Sequence, residues 1–480
     1  MASLSSRSIV LIFARLSNYA VLLLSPLFLV RILDIETYGL YREFTLYALL
    51  SVTIFSFGIK GNLLYFIPKD EANEKTYVSN SIYLIFITSL IGLLLIQVFS
   101  TPIASKLSFD YIDIMSMYIF FYLNLDIIES FWLAKKRSNY VFLYSTTVLT
   151  ARMLVVIITA YITRNIHDII FFMTVAEALK FSILAFWWGF KQKISFRFNT
   201  TFARKQLTYI APLGIGGLIA AINLKFGSIY ISTMIGATAL AIYSIGIYQI
   251  PVLAIVRSAV SDVIFPDMVE MNESSEKKAL HLWKRANTLF CIIVFPVFTV
   301  FMVFAEKFIT IMFTEQYIDS TPIFQLMLIL MVRRCFELGT PLRSKNKNKY
   351  FFRGNIIALT INIIITIALF EKYKLLAPAI AYVISDFIMA GYLTLKILTI
   401  YRIRLGELIL WRKIILIAIA SIVALPLLIY ANTTNSFILI LSMISVYCII
   451  YIILIKIFNI DDANLLFKKL MSKFKKRPVM

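Results

Sequence analysis

Ionisable residues inside long apolar segments are the groups of this chain that could do chemistry. A charge at the bilayer centre costs at least about 2.5 kcal/mol, so each of them should face protein or a water-filled cavity. Such residues mark binding or coupling sites by default. The basic members are Arg15, Lys60, Arg152, Lys180, Lys225, Arg257, Arg333 and Arg334, and the acidic members are Asp126, Glu129, Glu177, Asp262, Glu337 and Asp386.

Two oppositely charged pairs among these residues can form an ion pair within one helix. Glu177 and Lys180 are three residues apart, and Arg333 and Glu337 are four apart. The remaining basic residues have no acidic residue at helical pairing distance, apart from Arg334, whose neighbour Glu337 is already assigned to Arg333. They need either partners on other helices or a bound anion, and we predict them as substrate-binding residues: Arg15, Lys60, Arg152, Lys225, Arg257 and Arg334.

The depths of these basic residues indicate which anion they could bind. Arg15, Lys60 and Arg257 lie about two helical turns inside the predicted cytoplasmic ends of their segments, whereas Arg152 and Lys225 lie near mid-segment. Together they form a basic track running inward from the cytoplasm. Guanidinium groups match phosphate oxygens, so a phosphate or pyrophosphate is the predicted ligand. Interhelical ion pairing is the alternative.

The acidic residues allow two interpretations. Asp126 and Glu129 are three apart and repel each other if both are ionised. Either one of them binds a proton or sodium ion as part of coupling, or both neutralise Arg15 or Arg152 across the bundle. Asp262 and Asp386 are comparable ion-coupling candidates.

No motif points to an enzyme, a cofactor or a metal. The sequence lacks a nucleotide phosphate-binding loop, an HExxH motif and a GxSxG motif. The three cysteines and two histidines have no ligand spacing. We therefore expect neither nucleotide hydrolysis nor a resident cofactor.

Composition shows which elements position these residues. The 480 residues are 60% hydrophobic and 15% charged, with a mean hydropathy of +0.85, which predicts an all-α polytopic membrane protein. A membrane span needs about 20 apolar residues. Fourteen segments satisfy this requirement: 8–30, 44–66, 77–99, 109–133, 140–163, 167–190, 209–235, 238–265, 286–305, 321–343, 352–370, 375–395, 411–431 and 435–455.

Successive predicted loops alternate between high and low lysine and arginine content. The loops on the side of the N-terminus are rich in them and the opposite loops are poor, so both termini are predicted to be cytoplasmic. The net charge of +21 follows from this bias and does not indicate nucleic-acid binding. The basic tail 468–477 should attract anionic lipid headgroups.

A weak internal repeat predicts two related halves. Ile235–Tyr243 (IGATALAIY) aligns with Leu33–Tyr41 (LDIETYGLY), and IFPD at Ile264 echoes FIPKD at Phe66. The predicted organisation is a six-helix lobe, a cytoplasmic linker, a second six-helix lobe, and two further helices with a basic tail, at 1–190, 191–208, 209–400 and 401–480.

Several motifs, in order along the whole chain, carry a family resemblance. They are RILDIETYGLYREF from Arg31, FG at Phe57, FIP at Phe66, YIAPLGIGG at Tyr209, AIYSIGIYQIP at Ala241, VIFP at Val263 and LLAPAIAYVISD at Leu375. The chain resembles bacterial polysaccharide-biosynthesis flippases of the multidrug/oligosaccharidyl-lipid/polysaccharide exporter superfamily. The resemblance implies two six-helix lobes around a central cavity, with two C-terminal helices appended.

The resemblance also implies a function. Such proteins move undecaprenyl-pyrophosphate-linked oligosaccharide repeat units from the inner to the outer leaflet of the bacterial cytoplasmic (inner) membrane, for O antigen, capsule or other surface polysaccharide. The basic track would hold the pyrophosphate, and transport would proceed by alternating access. Implied partners are the lipid-linked oligosaccharide, membrane lipids, a polysaccharide polymerase and a chain-length regulator. The family often has an acidic residue or arginine mid-way along span 7, where this chain has Lys225.

Three other classes of membrane protein share some of these features. A peptidoglycan-precursor flippase would share the fold and a cationic cavity. A cation-coupled multidrug exporter should favour an acidic lining, and the excess of basic over acidic residues inside the spans disfavours it. A membrane-embedded glycan polymerase or ligase would normally carry a large outer loop, and the predicted outer loops are short.

Overall fold

The computed structural model describes residues 24–105, 107–108, 110–192, 197–248, 250, 264–265, 267–272, 274–434 and 436–460. Within these ranges every regular element is a helix. Most of the first predicted span lies outside the described residues, as do Arg15, Arg257, Asp262 and the tail 468–477. Their predicted roles stay predictions.

The described helices divide the chain into membrane-length and shorter segments. In order, they are α1 (Ile35–Ser56), α2 (Ile59–Lys69), α3 (Glu74–Val98), α4 (Ser100–Ala104), α5 (Ile112–Leu123), α6 (Ile128–Ala134), α7 (Ser138–Thr163), α8 (Ile166–Phe186), α9 (Thr200–Met234), α10 (Ala237–Gly246), α11 (Glu276–Val303), α12 (Ala305–Phe313), α13 (Thr321–Arg333), α14 (Gly339–Ser344), α15 (Asn348–Tyr373), α16 (Ala377–Tyr401), α17 (Trp411–Val423), α18 (Leu425–Asn432) and α19 (Phe437–Ile457).

The helices confirm a multi-pass membrane protein. In the described part of the chain, ten helical segments are long and apolar enough to cross a bilayer. One of the ten, Asn348–Tyr401, holds α15 and α16 and corresponds to two predicted spans. The total of fourteen spans stays a prediction.

The chain forms two compact units. The described residues of the first lie within 1–245, 312–316 and 366–378, and those of the second lie within 246–311, 317–365 and 379–480. Helix α9 begins inside the predicted linker 191–208 and packs against α1, α2 and α3 of the first unit. The predicted boundaries of the two lobes stay predictions.

Buried polar contacts hold three helices of the first unit together. Gln206 on α9 donates to Asn62 Oδ1 on α2 at 2.9 Å and to Ser81 Oγ on α3 at 3.0 Å. All three side chains are fully buried. A buried polar group without a partner is costly, so these contacts specify how α9 sits on α2 and α3.

The two segments of the internal repeat lie against each other in the first unit. The backbone of Gly39 on α1 approaches the carbonyl of Ala237 at the start of α10 so closely that a side chain at Gly39 would clash with it. Beside this contact, Ser232 donates a hydrogen bond to the fully buried carboxyl group of Glu43. The backbone N–H of Ser108 donates to the other carboxyl oxygen at 3.0 Å.

The second unit is built on α11, against which the C-terminal helices pack. Tyr451 on α19 donates to the carbonyl of Ile292 at 2.8 Å, and Tyr447 donates to that of Ser421 at 3.1 Å. The ammonium group of Lys307 donates to the carbonyl of Asn432 at 2.6 Å. The C-terminal helices are therefore part of the second unit's core.

Candidate functional site

A break in a membrane-spanning helix positions the first acidic residue of the site. Helix α5 ends at Leu123 and α6 begins at Ile128, and Leu125 between them has a φ of 61°. Trp188, which is fully buried, donates to the Leu125 carbonyl at 3.1 Å. Irregular backbone at membrane depth is tolerated only where protein or water forms hydrogen bonds with its N–H and C=O groups. The break places Asp126 among α2, α7 and α8.

Three side chains surround the Asp126 carboxylate. Its Oδ2 lies 3.0 Å from the Nζ of Lys60 and 3.7 Å from that of Lys180. Its Oδ1 accepts a hydrogen bond from the Tyr144 hydroxyl at 2.6 Å. Lys60, predicted as a substrate-binding residue, therefore has an acidic partner on another element.

Glu177 forms the second half of this arrangement. Its Oε1 accepts from Nε of Arg152 at 2.6 Å, and its Oε2 lies 2.7 Å from Nζ of Lys180. The Glu177 side chain is only 3% exposed. The Glu177–Lys180 pair expected from helical spacing is present, and Lys180 also reaches Asp126. We call Lys60, Asp126, Arg152, Glu177 and Lys180 the ionic cluster.

The ring of Tyr122 supports all three cations of the ionic cluster. Arg152, Lys180 and Lys60 lie 4.5, 4.9 and 5.9 Å from its centroid. Such cation–π contacts are worth about 0.5–2 kcal/mol each, depending on desolvation. The Tyr122 carbonyl also accepts from Lys180 at 3.2 Å.

The ionic cluster has more positive than negative charge, and an apolar cavity opens onto it. Three cations face two carboxylates. The cavity of about 640 Å³ lies along α7 and α8, with Arg152, Glu177 and Lys180 in its lining. Its other lining is mainly apolar or aromatic, including Trp132, Leu143, Val148, Leu179 and Ile183. The arrangement suits a molecule with an anionic group and a hydrocarbon chain.

Two predicted residues of the first unit make no ion pair within the described residues, although Glu129 lies within electrostatic range of Lys60 and Asp126. Glu129 is exposed on α6, one turn beyond Asp126, and makes no ion pair within the described residues. Lys225 on α9 likewise has no hydrogen bond or ion pair in the described ranges, and it lies within electrostatic range of a second cation, Arg42. The Nε of Arg42 is buried without a hydrogen-bond partner.

The second unit holds a smaller charged group. Arg334 donates to the Tyr382 hydroxyl at 2.8 Å and to Asp386 Oδ1 at 3.3 Å. Arg333 also forms an ion pair with Asp386. Glu337, expected to pair with Arg333, accepts from the backbone N–H groups of Gly339 and Thr340, and its pairing with Arg333 stays a prediction. The Asp386 carboxylate therefore forms ion pairs with two arginines.

Sequence reasoning missed several polar groups of the site. Tyr122 and Tyr144 carry no charge, and tyrosine is common in membrane helices, so nothing in their spacing marks them. Glu43 was missed because the predicted span 44–66 begins one residue after it, whereas α1 begins at Ile35. The α1 N-cap at Asp34, which accepts from the backbone N–H of Thr37 at 2.6 Å, is the signal for that earlier start.

No metal site is found in the part of the chain that the structure describes. No group of three His, Cys, Asp or Glu side chains there could hold a metal ion. Cys291, Cys335 and Cys448 are free thiols.

The described helices define a multi-pass membrane protein with a buried ionic cluster, as expected from the resemblance to the multidrug/oligosaccharidyl-lipid/polysaccharide exporter (MOP) superfamily. The family model described as "Polysaccharide biosynthesis protein" matches residues 28–322, and the chain belongs to that family. A curated relative is the capsular polysaccharide biosynthesis protein CapF of Staphylococcus aureus, which is 20% identical over 231 residues. That alignment covers 47% of this chain and 58% of the relative.

Solved structures share the fold at low sequence identity. The lipid II flippase MurJ in an inward closed conformation aligns with a TM-score of 0.73 and 14% identity, over 95% of this chain and 99% of that one. An inward-facing multidrug resistance MATE transporter aligns with a TM-score of 0.60 and 15% identity, over 82% of this chain and 98% of that one. A MOP transporter from Pyrococcus furiosus aligns with a TM-score of 0.54 and 13% identity, over 82% and 95%.

Proposed function

We propose that this transporter is a flippase for undecaprenyl-pyrophosphate-linked oligosaccharide repeat units. It would carry them across the bacterial cytoplasmic membrane for the assembly of a surface polysaccharide. The observation that carries the proposal is the ionic cluster, in which three cations face two carboxylates beside an apolar cavity. Membership of the polysaccharide biosynthesis family supports the glycan part of the proposal.

The surplus cation favours an anionic headgroup. The side chains of Arg152 and Lys180 are 15% and 9% exposed, so water screens them poorly and a phosphate oxygen reaching them would be strongly attracted. The apolar lining of the adjacent cavity can accept a section of prenyl chain. A pyrophosphate–prenyl junction has both properties.

The resident carboxylates give the binding site a way to release its ligand. Without substrate, Asp126 and Glu177 satisfy the three cations, since an unpaired buried charge would be costly. A pyrophosphate would compete with these carboxylates for the same cations. Binding then exchanges one set of ion pairs for another, so the net affinity is moderate and the lipid can leave on the far side.

The other predicted residues keep their proposed roles. Arg334 would hold phosphate oxygens in the second unit, where it already shares Asp386 with Arg333. Lys225 would be a further cationic contact, and Arg15 and Arg257 would extend the track. For ion coupling we propose the acidic residues Asp126, Glu129, Asp262 and Asp386.

A peptidoglycan-precursor flippase is the second candidate, because the lipid II flippase MurJ shares the fold over 95% of this chain. Both candidates would present a prenyl pyrophosphate to the ionic cluster, so the glycan distinguishes them. A multidrug exporter for organic cations is disfavoured by the positive surplus of the cluster. Proposed partners are membrane lipids, a polysaccharide polymerase and a chain-length regulator.

A binding measurement with purified protein tests the proposal. Undecaprenyl pyrophosphate should bind the wild-type chain, and Lys60→Gln/Arg152→Gln should weaken binding about tenfold or more, because two charge-assisted contacts are lost. The control Lys347→Gln/Lys349→Gln removes the same charge from two exposed residues and should bind like wild type. Equal affinity of both double variants would refute the role of the cluster. Competition with lipid II against prenyl-linked oligosaccharide separates the two candidates.

A further inference from the structure

A second pocket, separate from the ionic cluster, lies where the end of α2 meets the start of α9. Its volume is about 770 Å³. Three cations line it, Lys69 from α2 and Arg204 and Lys205 from α9, and none of its described lining residues is a carboxylate. All three cationic side chains are exposed.

The α9 side of the pocket is a regular stripe of polar residues. Thr201, Arg204, Lys205 and Thr208 occupy positions i, i+3, i+4 and i+7, which is one face of a helix. All four are exposed and line the pocket. Lysines and arginines together with hydroxyl donors are the groups that bind phosphate oxygens.

Two stacked aromatic rings, one from each helix, complete the lining of the pocket. Tyr65 and Tyr209 stack with ring centroids 4.4 Å apart and an interplanar angle of 16°. Lys69 donates to the Tyr65 hydroxyl at 3.0 Å and lies 5.1 Å from the ring centroid. The ammonium group is therefore held by a neutral partner, and it forms no ion pair within the described residues.

The pocket is fixed in place by the packing beneath it. Asn80 on α3 exchanges two hydrogen bonds with the backbone of Asn199, the N-cap of α9, at 3.0 and 2.9 Å. Gln206, on the opposite face of α9 from the stripe, is fully buried in its contacts with Asn62 and Ser81. The first turns of α9 are thereby locked against α2 and α3, so the cations are presented on a rigid surface.

We propose that this pocket binds the phosphate of a membrane lipid headgroup. Lys69 closes a membrane-length segment of the chain, so the pocket lies at the end of the spans, where headgroups are found. The three cations and the Thr201 hydroxyl would hold the phosphate. The two tyrosine rings would contact the glycerol or sugar attached to it.

Two sources can supply this phosphate. One is a bulk anionic phospholipid, and the other is the prenyl-linked substrate before it enters the transporter. The phosphate site itself does not depend on the function proposed above, but the second source does. The test must therefore measure lipid retention without measuring transport.

Native mass spectrometry of the full chain in neutral detergent provides this test. In one arm the protein is offered equal amounts of phosphatidylglycerol and phosphatidylcholine, and in the other undecaprenyl phosphate and phosphatidylcholine. The pocket variant is Lys69→Gln/Arg204→Gln/Lys205→Gln. The matched control Lys347→Gln/Lys349→Gln/Lys372→Gln also removes three exposed cations, two of which lie over tyrosine rings.

The expected result is a preference for the phosphate lipid in at least one arm, about tenfold weaker in the pocket variant and unchanged in the control. If the lipid preference depends on the pocket cations in the first arm, the ligand is bulk lipid. If it depends on them in the second arm alone, the ligand is the prenyl carrier. Equal losses in both variants, or no loss in the pocket variant, would overturn the proposal. If the triple variant melts early, Arg204→Gln and Lys205→Gln singly replace it, each with about a threefold loss expected.

Discussion

The Nζ of Lys60 lies 3.0 Å from Oδ2 of Asp126, which follows it by 66 positions in the chain. The lysine comes from α2 and the aspartate from the break between α5 and α6. Lys60 is therefore already paired, and an anionic substrate would have to compete with Asp126 for it. Release of such a substrate would restore the pair.

The first prediction concerns stability and separates Asp126 from Glu129. Asp126→Asn removes the negative charge shared by Lys60 and Lys180, whose side chains are 28% and 9% exposed, so the free energy of unfolding should fall by about 2 kcal/mol. Glu129→Gln removes an exposed carboxylate and should change it by less than about 0.5 kcal/mol. Unfolding of the purified variants in mild detergent measures both. Equal shifts would contradict the assignment of Asp126 to the cluster.

The second prediction tests the close approach of the repeat segments. Gly39→Ala would place a methyl group against the Ala237 backbone, which cannot move as a side chain can, so we expect a loss of about 1–3 kcal/mol. Gly61→Ala is the matched control, because nothing lies within 4 Å of the added methyl group and alanine favours helix. A lower melting temperature for Gly61→Ala than for Gly39→Ala would contradict the close contact between α1 and α10.

The third prediction concerns the aromatic support of the ionic cluster. Tyr122→Phe keeps the ring beneath Arg152, Lys180 and Lys60 and should leave stability within about 0.5 kcal/mol of wild type. Tyr122→Leu removes the ring and should cost about 1–3 kcal/mol through lost cation–π contacts. Chemical or thermal unfolding in detergent decides between them. A phenylalanine variant as unstable as the leucine variant would assign the effect to the hydroxyl.

The fourth prediction concerns coupling to an ion gradient. Both oxygens of Asp126 are engaged, by Tyr144 and Lys60, whereas Glu129 is exposed and makes no ion pair within the described residues. If a carboxylate of the first unit couples transport, we therefore expect it to be Glu129. Glu129→Gln should transport equally with and without a proton or sodium gradient in vesicles. Gradient dependence equal to that of wild type would exclude Glu129.

The sequence predicted the class of fold because membrane spans depend on local composition. Long apolar runs and loop charges are properties of contiguous residues, and α7, α8, α15 and α16 follow the predicted spans to within a few residues at most ends. The Glu177–Lys180 pair was predictable for the same reason, since it depends only on helical spacing.

The partners of the other charges were not predictable, because they lie on different helices. Nothing local indicates that Lys60 meets Asp126 or that Arg152 meets Glu177. The break at Leu125 has no glycine or proline to mark it, and its backbone is satisfied by the distant Trp188. Such contacts are set by the packing of whole helices.

The most direct test of the proposed function is the appearance of lipid-linked glycan on the outer face of the membrane. Spheroplasts with and without this protein are probed with a membrane-impermeant glycan-binding reagent. We predict a signal that requires the protein, falls at least about tenfold in Lys60→Gln/Arg152→Gln, and is retained in Lys347→Gln/Lys349→Gln. An unchanged signal in the cluster variant, with normal membrane insertion, would contradict the central role of the ionic cluster.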